Sequence, residues 1–431
     1  MTMRPHGVSG KSTRISAVEA VSDDGPRRRV VAQRWARWND SYDCRYTVGA
    51  EEEVMLLNPA DHALSQCSDA VLARLSGRLA DHIAPETHAA VVELATGVHA
   101  RVAGIVAELA GLRLQLAGAL AGMGLRVASA GAYPLVPSVE SRVSGSGRYR
   151  KVAESMRALA RREPTLALHV HVGVPDPDDA IRVLNGLRGA VPVLLALSAN
   201  SPFSQARDTG FASSRTVIFQ GFPRTGTARA FADYADYVEA VDGLIASGAL
   251  PDPSFLWWDV RLQPMLGTVE VRVMDAQSTV ADSEALIALV QSLARLELTD
   301  EPPDLEVGPE VLEENRFLAA RDGLNARLID PVKRRLLPVR ELVETLLERC
   351  GPHAAALGCS VELERIQTLA AANGADRQRA QAADTGVVQL VSALAEQFAS
   401  QCERDREIAG ALPRDRASVE TPYVGSPPTR D

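Results

Sequence analysis

Three segments of this chain alternate in the same way: VGAEEEVMLL (48–57), LALHVHVGV (166–174) and GTVEVRVMD (267–275) all read as strands. In a strand, residues i and i+2 stand on one side, about 7 Å apart. Glu51 and Glu53 therefore share a side, as do His169 and His171, and Glu270 and Arg272, while Val269, Val271 and Val273 take the opposite one. Such strands must join a sheet with one apolar face in a core. Two readings of the other face compete: a solvated edge, where charge blunts aggregation, and a surface turned toward a cation. An ordinary solvated face carries mixed Lys, Thr, Glu and Ser. Here every such position is a metal-ligand or catalytic residue type.

The length of 431 residues allows two or three average domains, or one large enzyme domain with a helical extension. Residues 1–44, rich in Arg, Ser, Asp and Gly, read as a disordered, mobile arm. Within it VSGKST (8–13) resembles a phosphate-binding loop, but Pro5 stands where the first glycine is required and no strand precedes it. The Ala/Leu-rich stretch from Ala70 to Leu125 has helical spacing. On that reading Glu86 and Glu93, seven apart, share one helix face. LRVASAG (125–131) reads as a strand, 178–199 as a helix, and 207–224 as an irregular loop with a short strand. FLWWDVRLQP (255–264) and GTVEVRVMD form two strands around a tight Pro/Leu/Gly turn. The organisation expected is the arm, a catalytic domain over 45–400 that is mainly helical from about 283, and a largely disordered tail over 401–431.

The net charge of -9 argues against a nucleic-acid partner, because no basic face is available to release phosphate counterions. The five cysteines form no CxxC pair and no disulfide framework. There is no run of 18 apolar residues and no signal-peptide pattern at the N-terminus. A soluble, unexported protein of the reducing cytoplasm is expected, with no membrane partner. The helical C-terminal region offers a surface for a homo-oligomer.

Carboxylates with an occasional imidazole suit magnesium or manganese better than zinc or copper. So many acids in one place repel one another unless cations bridge them. Salt bridges with the abundant arginines would satisfy them as well. Arg207, Arg215, Arg224, Arg261 and Arg272 lie in or beside the loop and strand motifs, and Arg377 and Arg379 follow the turn at Asn373-Gly374. Guanidinium groups clamp carboxylates and phosphates. Acids, metal and arginines together point to phosphoryl transfer from a nucleotide to an anionic substrate. The residues alone carry the reading no further.

The motifs VGAEEEVMLL, PETHAAVVELATGV, LHVHVGV, LSANSPFSQARDTGFASSR, FPRTG, WWDVRLQPMLGTVEVRVMDAQ, ENRFLAARDGL and NGADRQR, in that order, resemble the type 2 glutamate-cysteine ligases, or carboxylate-amine ligases, over roughly residues 46–400. The resemblance implies an α+β fold like the catalytic domain of glutamine synthetase and the guanido kinases: a curved antiparallel sheet forming an active-site funnel, with helices packed outside. It implies an ATP-dependent ligase joining a carboxylate to an amine through an acyl phosphate, with glutamate and cysteine giving γ-glutamylcysteine, ADP and phosphate. Another acid or amine in a specialised pathway, or a metal-dependent phosphohydrolase, are the alternatives.

Carried onto this chain, the resemblance implies Glu51, Glu53, Glu86, Glu93, His169 and Glu270 as ligands of Mg2+, or Mn2+, with Glu270 also catalytic and Arg272 stabilising the transferring group. Arg215 and Arg261 are expected to bind the substrate carboxylate, and Arg316, Arg377 and Arg379 the nucleotide phosphates or a helical lid. Glu52 faces away on this reading and is expendable. Tyr133 in SAGAYPL stands where family members commonly carry a histidine, near the expected funnel.

Overall fold

The central sheet has seven strands: β1 (Val48–Leu57), β2 (Ile83–Pro85), β3 (Val91–Ala95), β4 (Arg126–Ala128), β5 (Ala167–Gly173), β6 (Val260–Gln263) and β7 (Thr268–Asp275). Its order is β6-β7-β5-β1-β3-β2 with β4 also on β1, and every pairing is antiparallel. This is a computed structural model, and it describes residues 34–41, 44–137, 140–300 and 307–409. Around the sheet lie α1 (Val102–Gly122), α2 (Gly147–Met156), α3 (Pro177–Ser198), α4 (Val280–Thr299), α5 (Pro309–Asp322), α6 (Val339–Leu357), α7 (Gly374–Thr385) and α8 (Val387–Ala409). The architecture is α+β, an antiparallel sheet with a helical shell.

The alternating pattern decides which face the helices cover. Val170, Val172, Val269 and Val271 are fully buried in one core with Leu184, Leu187, Leu286 and Leu289 of α3 and α4. Burying each such side chain contributes about 1.5–3 kcal/mol relative to leaving it exposed. Asp176 starts α3 by accepting from the N–H groups of Asp178 and Asp179, and Thr279 starts α4 by accepting from Asp282 N–H. Among the described residues two helices, α1 and α3, are long and apolar enough by composition to cross a membrane. Both pack against the sheet, α1 through Leu112, Leu116 and Leu120, and α3 through Leu184 and Leu187.

Several expectations need correction. The stretch read as helix from Ala70 becomes helical without interruption only from Val102, after strands β2 and β3. Val91 and Val92 are β-branched, and pairing with β1 on one side and β2 on the other outweighs the local Ala/Leu propensity. Glu93 therefore stands on a strand, and Glu86 in the turn after Pro85. The helical region beyond Ser283 is interrupted by a hairpin, Arg327–Asp330 with Arg335–Pro338, whose turn Asp330 caps through the N–H groups of Val332 and Lys333. Residues 207–224 hold a short strand, as read, and also a helix, Ser214–Phe219.

Of the expected arm, residues 1–33 lie outside the described residues, but 34–41 pack onto the domain. Ala36 is buried, Trp38 Nε1 donates to the Val174 carbonyl at 2.9 Å, and Asn39 N–H donates to that of Pro264. At the other end α8 continues to Ala409, past the boundary expected at 400; residues 410–431 of the expected tail lie outside the described residues.

Candidate active site

Register turns the three alternating strands into one surface. Glu51 stands opposite His169, Glu53 opposite Glu93, His171 opposite Glu270, and Glu270 opposite Arg261. All these side chains leave the face of the sheet away from the valines. The result is three groups of converging ligand atoms, each within 4.8 Å: Glu51, His171 and Glu270; Glu51, Glu93 and His169; Glu53, Glu86 and Glu93. All six acids and imidazoles expected to hold metal are thus brought together, and His171 joins them. The alternation had singled out His171, but the ligand set left it out.

The two ends of this surface differ electrostatically. Glu270 is fully buried and accepts from Arg261 Nε at 2.6 Å, from Gln263 Nε2 at 2.7 Å, and from Arg272. Burial pushes its carboxyl up, but Arg261 and Arg272 hold it well below the usual carboxylate range. Glu51 behaves similarly: burial raises it, and His169 at 3.1 Å with His171 brings it well below the ordinary value. Burial and Arg272 together lower His169 to about 4, so it is a neutral imidazole near neutrality.

At the other end burial and the charge of Glu86 push Glu53 up to about 8, despite the Ala167 N–H it accepts at 2.7 Å. Burial, then Glu51, Glu86 and Glu53, push Glu93 well above the carboxylate range. Three carboxylates crowd there with protein counter-charge too weak to ionise them all. That donor set, all carboxylate oxygen plus neutral imidazole, fits a hard divalent cation such as Mg2+ or Mn2+, which would replace the protons.

The rim is closed by an element that strand alternation does not reveal. Tyr149, in the first turn of α2, directs its hydroxyl to the Pro85 carbonyl at 2.8 Å and to Glu86 Oε2 at 3.0 Å. Ser144 donates to the Glu86 carbonyl. The signal available in sequence was the run GSGRYRK, a Gly/Ser turn leading into a capped helix.

The arginines are placed less as expected. Arg272 contacts both Glu270 and His169 within the cluster. Arg261, expected on a substrate carboxylate, is bound to Glu270 and to the Ser254 and Leu256 carbonyls. Arg215 donates to the carbonyls of Arg272 and Val273 at 3.0 Å each, where the β5–β7 ladder shifts register between Val271 and Met274. It thus serves two carbonyls at the irregularity. Among the described residues, Arg215 and Arg272 each keep a buried Nε–H without a hydrogen-bond partner.

Arg316 pairs with Asp259 at 2.7 Å, Arg377 with Asp282 at 2.5 Å, and Arg379 with Asp208 at 2.8 Å. Among the described residues none of the three touches the acidic cluster. Their expected nucleotide role meets carboxylate partners instead. Tyr133 packs with Met55 and Leu57, which stand on the same side of β1 as Glu51 and Glu53, and its hydroxyl donates to the His62 carbonyl at 2.9 Å. Burial and Asp61 push its phenol up to about 12.

Glu52 does point away from the acids, but it is not expendable. It is fully buried and receives Arg113 Nε and Nη2 at 2.8 Å each and Ser283 Oγ at 2.6 Å.

Residues 47–394 match the model of the glutamate-cysteine ligase family 2. A relative from Rubrobacter xylanophilus, named "Putative glutamate–cysteine ligase 2-3", is 42% identical over 348 residues, covering 80% of this chain and 95% of the relative. A Gloeobacter violaceus protein, "Putative glutamate–cysteine ligase 2", is 36% identical over 344 residues, covering 77% and 91%. Among solved structures, the bifunctional glutathione synthetase of Pasteurella multocida superposes with a TM-score of 0.62 at 16% identity, covering 83% of this chain and 52% of that one, so the chain spans about half its length. The glutamate–cysteine ligase of Francisella tularensis, solved with AMP, has a TM-score of 0.57 at 13% identity, covering 84% and 92%. These two likenesses are of fold. Family model and relatives agree, and the chain belongs to the glutamate-cysteine ligase family 2.

Proposed function

We propose that this ligase cleaves ATP to join a carboxylate to an amine, with glutamate and cysteine as substrates and γ-glutamylcysteine, ADP and phosphate as products. The observation that carries the reading is the convergence of Glu51, Glu53, Glu86, Glu93, His169, His171 and Glu270 on one sheet face, with Arg272 beside them. The names of the relatives supply the substrates.

In the reaction, a carboxylate oxygen of the acid attacks the γ-phosphorus of ATP, the bond to the β-phosphate oxygen breaks, and ADP leaves. The amine nitrogen then attacks the acyl carbon, phosphate departs, and the amine proton is lost to give the amide. Glu51, Glu53, Glu86, Glu93, His169, His171 and Glu270 would hold Mg2+ or Mn2+, which supplies charge neutralisation for the triphosphate. Arg272 and Arg215, with their free Nε–H donors, are the groups we assign to the anionic substrate and the transferring phosphoryl. Arg261 keeps Glu270 ionised, and Arg316, Arg377 and Arg379 tie the helical shell. Cys67, Cys350 and Cys359 are free thiols, in keeping with a reducing cytoplasm.

Tyr133, bonded to the His62 carbonyl at a position where the family commonly has histidine, favours a second reading within the same chemistry: an acid or amine other than glutamate or cysteine. The test is phosphate release from Mg-ATP with glutamate, with and without a panel of amines headed by cysteine, using Glu53→Gln as the blank. Release requiring both glutamate and cysteine, with γ-glutamylcysteine detected, is the expected result. Release requiring another pair moves the assignment to that pair. Release requiring neither identifies a phosphohydrolase.

A further inference from the structure

Behind the acidic face, at the centre of the molecule, sits a charged pair that the reaction does not touch. Glu52 and Arg113 are 0% and 1% exposed. Replacing a buried ion pair with apolar residues of similar volume is often neutral or stabilising, so stability alone does not account for this one. Its geometry gives another reason. Arg113 approaches Glu52 through two parallel bonds at 2.8 Å, the arrangement that fixes orientation as well as distance. The same guanidinium donates to the carbonyl of Gln277 at 2.8 Å and of Ser278 at 3.3 Å, just past the end of β7. Phe398 of α8 lies against it, with the guanidinium carbon 4.9 Å from the ring centroid.

The two strands joined this way are not neighbours. β1 and β7 each pair with β5 and are separated by it. β1 carries Glu51 and Glu53, and β7 carries Glu270 and Arg272. The β5–β7 ladder shifts between Val271 and Met274, beside Arg272, so ladder bonds alone do not hold that part of β7. Arg113 supplies a tie between the two ligand strands that does not pass through β5. Ser283 Oγ, bonded to Glu52 at 2.6 Å, fastens the same point to α4.

We propose that Glu52 and Arg113 are positioning residues for the cation site: their pairing on the back of the sheet sets the separation between the acids of β1 and those of β7. This rests on the metal-dependent reading of the acidic face. The chain would keep a buried charge pair here because it fixes a distance on the opposite face.

The test measures Mn2+ binding to the full chain by electron paramagnetic resonance, with Mn2+ alone as the probe, beside thermal unfolding of the metal-free protein. Glu52→Gln is expected to lower the midpoint and weaken Mn2+ binding about 10–100-fold, the usual loss when a group supporting metal ligands is removed. The double variant Glu52→Leu with Arg113→Met restores apolar packing. It is expected to recover most of the midpoint while Mn2+ binding stays weak. Wild-type Mn2+ affinity in either folded variant overturns the proposal, and so does a wild-type protein that binds no Mn2+. If the expected Mn2+ pattern appears but the wild type forms no amide, the positioning role stands and the ligase assignment fails.

Discussion

Glu52 and Glu53 are consecutive on β1 and point into opposite surroundings. Behind the sheet, Glu52 meets a guanidinium and a hydroxyl at close range, and Phe398 lies against that guanidinium. In front, Glu53 meets a backbone N–H and two other carboxylates, and its own carboxyl is pushed up to about 8 by burial and Glu86. The protein pairs Glu52 directly behind the sheet, whereas in front Arg215 and Arg272 offset only part of the burial and repulsion that raise Glu53. A fully paired cluster would be inert toward a cation. An unpaired one stays available, at some expense to the metal-free fold.

The sharpest way to break this contrast is at Glu270, which lies on the front face yet is paired by Arg261 and Arg272. Glu270→Gln leaves two buried guanidinium groups without their carboxylate. Urea unfolding is expected to show a loss of about 3–5 kcal/mol, as for other broken buried pairs, together with loss of turnover. A stability equal to wild type would mean that the arginines find other partners and that the two ends of the face are alike.

Glu53→Gln should behave in the opposite sense. A carboxyl whose folded value is raised binds its proton more tightly in the folded state. The wild-type fold without metal therefore loses stability as pH rises from 4.5 towards 8. Thermal melts in chelator should show the Gln variant gaining on wild type across that window, and added Mg2+ should close the gap by stabilising only the wild type. A flat difference with pH would show that Glu53 ionises freely.

Smaller effects are expected at the rim and beyond it. Tyr149→Phe removes one hydroxyl from Glu86 and keeps the ring; about 1 kcal/mol is expected, or roughly fivefold in Mn2+ affinity. Glu108 gives a distant control. Burial raises its carboxyl, but His99, the Gly97 N–H and Arg78 bring it to about 2. Its stabilisation is complete above 4.5 and disappears as pH falls through about 2. The difference in melting point between wild type and Glu108→Gln should shrink over that acid range, with Mn2+ affinity unchanged.

The site was legible where a local rule governs it. Strand alternation assigns Glu51, Glu53, His169, His171, Glu270 and Arg272 to their faces from spacing alone. It fails where the decisive partner is remote. Glu93 was read as helical because its neighbours are Ala and Val, and what makes it a strand residue is register with Glu53. Glu52 was read as dispensable because Arg113, 61 residues away, leaves no trace in the local pattern. Arg261 carries the right charge for substrate, but the acid it is bound to, Glu270, is visible as its partner only in three dimensions. Tyr149 needed the fold to bring α2 over the turn that holds Glu86.

The central place of β1 also bears on how this protein comes into being. His169 meets Glu51 across 118 residues of chain, and Ala167 meets Glu53 across 114. Loop closure over such separations must be met before those contacts repay it, so topology of this kind slows folding. On the ribosome, β1 emerges with its acids long before β5 and β7 exist to face them. The acidic surface is accordingly expected among the last parts of the molecule to acquire protection from hydrogen exchange during refolding, and a chain released before Glu270 would lack the carboxylate that completes the group with Glu51 and His171.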